Sequence, residues 1–310
     1  MSVTRFMCAL AAVVAVLALA AGAAQASPVI EVDGTHAVKQ DDPFAPPKSE
    51  TYMRGSFKAK PIAIASSRGT KAVSKALKSA LRKHSISRAS YNGYRSAYSR
   101  ARSVRSKLHG ARRTQLSYVI GALESVAIRG RLIPSRMPSY FVELVRNTVY
   151  WPSLPYPASG DQVSFKGSDV LYQYYPGRGL QMQVLSTFKK ANNMHGACVK
   201  HTGPCSKARL ARLLDEMNRL AVHRSSKFIA WEYMFTFDGG SPPWISAMAE
   251  AGALQAYARA ADLLGRPDYV ATGKKVLPVF KVHPPLGVRT RGPFGGVTYL
   301  QYSFAPHLYI

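Results

Sequence analysis

Acidic residues are scarce: 16 Asp and Glu stand against 42 Lys and Arg, for a formal net charge of +26 and a pI near 10.2. From Arg54 to Arg113 there are 17 basic residues and no acidic one. Such a surface attracts polyanions, namely nucleic acid, anionic lipid or acidic polysaccharide, unless it is simply a solvated basic face. Cysteine is nearly absent, with three in 310 residues, which excludes a disulfide-rich scaffold. Apart from Ala9 to Ala21 no long apolar run occurs, and that run is shorter than the roughly 20 residues a membrane-spanning helix needs. There is no Gly-x-Ser-x-Gly elbow, P-loop or His-Glu-x-x-His motif, and no internal repeat. The corresponding hydrolase, nucleotide-binding, zinc-protease and solenoid readings therefore have no support.

What is present begins with an export signal. Arg5 forms a short basic region, Ala9 to Ala21 an apolar one, and Ala24-Gln25-Ala26 a small-x-small cleavage pattern, so residues 1–26 are expected to be a cleaved signal peptide. The alternative is a retained N-terminal anchor. The mature chain is then secreted or held in the cell envelope, where nucleic acid is not an expected partner and acidic glycans are. Cys198 and Cys205 remain after cleavage and read as a local disulfide in an oxidising compartment, with free thiols as an alternative. His195, Cys198, His201 and Cys205 supply zinc-ligand types, but their spacing fits no zinc module. No metal and no cofactor are expected.

Residues 27–66 are rich in Pro, Asp and small side chains and read as a flexible linker. Residues 67–150 form a basic helical region. Ala72, Val73, Ala76, Leu77, Ala80 and Leu81 recur at helical spacing, predicting a helix over 70–83. A second helix is expected over 87–108, with Tyr91, Tyr94 and Tyr98 on one face as a packing stripe or, alternatively, a stacking surface. Helices follow over 111–130, along Leu116, Val119, Ile120, Leu123 and Val126, and over 138–150, along Phe141, Leu144 and Val145. Pro152, Pro155 and Pro157 then break the pattern. Further helices are expected over 180–192, 206–221, from Pro242-Pro243 to Leu264, and over 268–280. Lys227 to Phe237 alternates like a strand, and Gly292 to Ser303 reads as loop or hairpin.

Three stretches resemble the C-terminal domain of the D-glucuronyl C5-epimerases. They are Gln173-Tyr-Tyr-Pro-Gly-Arg-Gly-Leu-Gln181 with Phe188 to Asn192, then Trp231-Glu-Tyr233 through Pro243-Trp-Ile-Ser-Ala-Met-Ala249, and then Tyr299-Leu-Gln-Tyr-Ser303. The resemblance spans about Phe165 to Ile310 and implies a mainly α chain: an incomplete α/α toroid over 151–310 with a few short β segments, preceded by the basic helical region. It also implies proton abstraction and return at C5 of glucuronate residues in an acidic polysaccharide. Tyr302 is the implied acid or base, with a half-buried hairpin aromatic as the alternative. Where the family carries an aromatic-x-Glu-Tyr motif this chain has Gln301-Tyr302, and the family domain continues for many helices beyond the point where this chain stops.

Epimerisation needs acid/base groups flanking the sugar and a cation beside its carboxylate. Arg178, between two glycines, is the candidate clamp, with an outward-pointing turn arginine as the alternative. Glu232 is read as a hydroxyl ligand or, alternatively, an ion-pair partner. Tyr174, Tyr175, Trp231 and Trp244 are candidate sugar platforms or core aromatics, and Gln181 is a candidate hydrogen-bond partner for a hydroxyl. A polysaccharide lyase and a non-catalytic glycan-binding relative are the competing readings. An unfinished toroid is expected to expose an apolar flank and to self-associate as a homo-oligomer.

Overall fold

A computed structural model describes residues 26–47, 67–292, 294–305 and 310. Positions 1–25 of the expected signal peptide and positions 48–66 of the expected linker lie outside the described residues. Strands β1 (Ser27–Asp33) and β2 (His36–Asp42) come first, followed by helices α1 (Ser67–Arg82), α2 (Arg88–Lys107), α3 (Gly110–Ile128) and α4 (Met137–Tyr150). Strands β3 (Gln162–Phe165), β4 (Tyr172–Tyr175) and β5 (Gly179–Met182) lead into α5 (Val184–Lys200) and α6 (Lys207–Leu220). The short pair β6 (Val222–His223) and β7 (Ile229–Ala230) precedes α7 (Ala247–Leu264) and α8 (Pro267–Val276), and the hairpin β8 (Arg289–Arg291) and β9 (Val297–Tyr299) follows. The architecture is mainly α, with eight α-helices among the described residues and a few short strands in small sheets. No helix among the described residues is long and apolar enough to cross a membrane.

Helix α3 is buried on nearly every side, which is what an apolar stripe too wide for one face produces. Gln115, Ser117, Tyr118 and Glu124 are buried along with Leu116, Ile120, Leu123 and Val126. Helix α1 crosses α3 at Gly69, where a β-carbon would collide with the Glu124 carboxylate. The tyrosines of α2 pack, as their spacing favours: Tyr91 and Tyr98 are buried, and Tyr94 stacks on Phe141 with ring centroids 4.4 Å apart.

The five-stranded sheet has the order β2-β1-β3-β4-β5. Strand β1 pairs antiparallel with β2, Ser27 opposite Asp42, and parallel with β3, Ile30 opposite Val163. The linker expected over 27–66 therefore does not hold for its first part: Ser27 to Asp42 is a hairpin built into the sheet. Val29, Ile30 and Val32 supply its buried positions, and Gly34 turns it at φ +59°. The helix expected from Leu180 is also corrected, because Leu180, Gln181 and Met182 pair with Tyr174, Gln173 and Tyr172 and the helix starts at Val184.

The alternating stretch from Lys227 pairs regularly only at Ile229–Ala230, then continues through single bridges from Tyr233 to Trp244 and from Phe237 to Gly240. Residues on both sides of that stretch are buried, including Trp231, Glu232, Tyr233, Met234 and Phe235, so its alternation does not separate core from solvent. Gly265, in a left-handed conformation, ends α7, and α8 packs back on α7 to make a helical hairpin. Cys198 and Cys205 are disulfide-bonded across the α5–α6 turn. One core cluster runs through both halves, from Leu116 and Phe141 to Trp231, Tyr257 and Tyr302.

Candidate functional site

The β4–β5 hairpin carries Arg178 at its tip. Gly177 and Gly179 have φ of +77° and +78°, values that side chains with a β-carbon resist. Gly179 is also packed from outside, since a β-carbon there would meet Asn147 Oδ1 at 2.7 Å and Gln115 O at 3.3 Å. The hairpin is thereby pressed onto α3 and α4, and Gly179 N donates to Gln115 Oε1 at 2.9 Å. Arg178 is 2% exposed, so it is not a turn arginine in solvent. Its guanidinium lies beside the Tyr118 hydroxyl, and burial lowers its pKa against the opposing pull of Tyr118 and Tyr175.

No sequence motif marks Tyr118. It sits on α3, and its hydroxyl accepts from Thr236 N and shares a hydrogen bond with Thr236 Oγ1, both at 2.7 Å. Burial raises its pKa, with Thr236 and Arg178 pulling the other way, so the phenol stays neutral near pH 7. The available sequence signal was the wide apolar surface of α3, which places any polar group on that helix indoors.

Tyr302 belongs to a separate part of the same aromatic cluster. Its ring meets Phe237 at 5.1 Å and Trp244 at 5.4 Å and stacks on Phe304 at 5.8 Å. Trp244 stacks on Tyr233 at 4.2 Å, and Phe235 touches both Trp244 and Tyr175. Gln301 Nε2 donates to the Tyr302 hydroxyl at 3.2 Å. Arg178 and Tyr302 are thus linked through Tyr118, Thr236 and Phe237, and again through Tyr175, Phe235 and Trp244. Tyr302 is itself 6% exposed.

The other candidates have internal partners. Glu232 is gripped by Arg136, at 2.5 and 2.8 Å, and by Arg224 at 2.6 Å, which is the ion-pair alternative for that residue. Trp231 donates to Met217 O at 2.6 Å and stacks on Tyr257, a core position. Trp244 donates to Phe235 O at 2.7 Å. Gln181 donates to Arg178 O at 2.5 Å and so steadies the hairpin tip. Tyr174 faces away from Tyr175, as alternate strand residues do. Its hydroxyl donates to Tyr156 at 3.0 Å, with Trp151 beside it. Tyr175 accepts from Gln183 Nε2 at 2.8 Å.

The structure therefore brings Tyr175, Arg178, Trp244 and Tyr302 into one aromatic cluster and sets Tyr174, Trp231 and Glu232 elsewhere. Among the described residues no group of three or more His, Cys, Asp or Glu is placed to hold a metal. Chemically, the cluster offers a cation, two phenols and a dry surround, the parts needed to manage charge on a carboxylate and a proton beside it.

Comparison with known proteins bears on the second half of this cluster. Residues 224–310 match the family described as D-glucuronyl C5-epimerase C-terminus. Trp231, Glu232, Trp244 and Tyr302 lie inside the match, whereas Tyr174, Tyr175, Arg178 and Gln181 precede it, so the match is shorter than the resemblance from Phe165 onward. No curated protein and no solved structure matches the chain. Over residues 224–310, the chain is similar to the D-glucuronyl C5-epimerase C-terminus family.

Proposed function

We propose that the protein is an exported, epimerase-like protein acting on C5 of glucuronate residues in an acidic polysaccharide. The family match across residues 224–310, which contains Tyr302, is the observation that carries this reading. In the proposed reaction a base takes the C5 proton and the electron pair moves into the carboxylate as an aci-enolate. An acid then returns a proton to the opposite face. Atoms and electrons balance without an oxidant or a cofactor. Tyr302 is the proposed base. An amide from Gln301 can stabilise charge on its oxygen, which a carboxylate at that position would oppose. Arg178 is the proposed cation at the substrate carboxylate, and neutral Tyr118 the proposed proton donor. The hairpin of α7 and α8 is the kind of unit from which an α/α toroid is assembled, and the partial-toroid reading rests on it.

A second reading, glycan binding without catalysis, is favoured by the close packing around Tyr302 and by glutamine at position 301. Product analysis separates the possibilities. Iduronate in the NMR spectrum of a treated glucuronate polymer supports the epimerase. An ultraviolet-absorbing double bond identifies a lyase, and an unchanged but bound polymer supports the second reading.

Self-association through the C-terminal part of the chain belongs to the same proposal. Phe294 is fully exposed, and Val270, Leu277, Leu286, Val297 and Ile310 are 45–55% exposed, all of them after Pro267. Sedimentation velocity is expected to show a concentration-dependent species that Phe294→Ser removes. A monomer at every concentration would contradict this part.

A further inference from the structure

The basic helical region contains a built cavity that lies apart from the aromatic cluster. Helices α1 and α2 enclose a groove of about 450 Å³. Its floor is apolar: Val73 and Leu77 from α1 and Tyr91 and Tyr98 from α2, all 8% exposed or less. Its rim is cationic, with Arg95, Arg102 and Arg105 along one face of α2. Helix α1 carries five Lys and Arg and α2 carries six, and neither has an acidic residue. Glu124 of α3 meets the groove from beneath, accepting a hydrogen bond from the Tyr98 hydroxyl.

Two details give this groove the features of a ligand site rather than a plain basic face. Arg105 Nε is buried with no hydrogen-bond partner, a costly state for a charged donor unless something else occupies it. Arg95 and Arg102 are held over the Tyr91 and Tyr98 rings, at 5.8 and 5.7 Å from the centroids. Arg102 is further fixed by donating to Thr70 Oγ1 at 2.7 Å. The guanidinium groups are thus positioned in advance, which lowers the entropy lost when an anion pairs with them.

We propose that this groove binds a uronate unit of an acidic polysaccharide, as an anchoring subsite separate from the place of reaction. The choice of uronate as the anion rests on the function proposed above. A pyranose ring offers an apolar face to Val73, Leu77 and the tyrosines, a carboxylate to the arginines, and hydroxyls to the serines that share the rim. The groove fits other polyanions less well. A nucleobase needs an open aromatic face, and each of these rings already carries an arginine on one side. An anionic lipid needs apolar surface that continues outward for its chains, whereas the apolar side chains here form the floor and the rim is Arg, Ser and Thr.

The test is titration calorimetry of the full chain with a glucuronate-containing tetrasaccharide, beside the same tetrasaccharide with its carboxylates reduced to alcohols. Binding is expected for the first, weakened about tenfold or more in Arg102→Ala and in the gentler pair Arg95→Gln/Arg105→Gln, and lost for the reduced form. Unchanged affinity in folded variants, or equal binding of the reduced sugar, would overturn the proposal. So would tighter, variant-sensitive binding of anionic phospholipid vesicles or of single-stranded DNA. C5 deuterium exchange is a separate readout. Tetrasaccharide binding at the groove without exchange leaves this proposal standing and removes the catalytic one, while exchange with groove-insensitive binding does the reverse.

Discussion

Raising the pH from about 4.5 to 8 is expected to destabilise the fold by several kcal/mol. Glu143 and Glu250 are fully buried, and burial pushes both carboxyl groups up to about 8, against 4.5 in an open chain. Each keeps a single backbone donor, Met182 N at 2.8 Å for Glu143 and Trp231 N at 2.9 Å for Glu250. These donors pull the values down without overcoming the loss of water. Between 4.5 and 8 the folded chain holds both protons and the unfolded chain has released them, so stability falls as pH rises through that window. The contribution is complete below 4.5 and gone above about 8, and it amounts to roughly 3–5 kcal/mol per group as an upper bound.

The opposite trend operates at lower pH. Asp42 and Asp169 surround Lys190, each at 2.8 Å from its ammonium, with Arg209 also paired to both. Burial alone would raise these carboxyl groups, but their cationic partners outweigh it and hold them below 3.8. Their contribution is present above about 3.8 and is lost as pH falls further. Urea unfolding from pH 4 to 8.5 is therefore expected to give a maximum near pH 4–5 and a declining midpoint above it. Glu143→Gln with Glu250→Gln should flatten the decline. A midpoint that rises toward pH 8 would show that the two acids are ionised in the fold.

Glu232→Ala is expected to cost about 3–5 kcal/mol, because it leaves two buried guanidinium groups without their counter-charge. The Glu232 side chain is 0% exposed, Arg136 9% and Arg224 5%, so little water can replace the carboxylate. The ion group also ties distant segments together. Arg136 precedes α4, and Arg224 lies after β6 and additionally donates to the carbonyls of Leu286 and Pro285. Denaturant unfolding measures the loss. If Glu232→Ala is as stable as wild type but binds glycan more weakly, Glu232 is a sugar ligand after all.

Most helices are legible because one face is apolar every three to four residues: Leu77 and Val73 in α1, Leu210, Leu213 and Leu214 in α6, Ala253 and Tyr257 in α7. Strand β1 was hidden by its setting. Five residues of pattern, Val29 to Asp33, were outweighed by the prolines and aspartates after them, and the parallel partner β3 lies about 130 residues away, where no local signal reaches. Strand β5 was absorbed into α5 because Leu180 and Met182 also fit the helical period.

At the site, the Gln301-Tyr302 motif and the glycines flanking Arg178 are legible, whereas the β4–β5 hairpin that presents Arg178 is not. What could not be read was occupancy. Nothing in the string Trp231-Glu232-Tyr233 says that Arg136 and Arg224, each far from Glu232 or on another element, converge on it. For the same reason nothing local marks Tyr118, which the fold alone places beside Arg178 and Thr236.

Proton abstraction at C5 is the step on which the functional proposal stands, and it can be observed without turnover to product. The protein is incubated with a glucuronate polymer in D2O, and deuterium at C5 is read by NMR. Incorporation by the wild-type protein, lost in a folded Tyr302→Phe variant, is the expected result. No incorporation by a folded wild-type sample that binds the polymer would contradict catalysis and leave the glycan-binding reading.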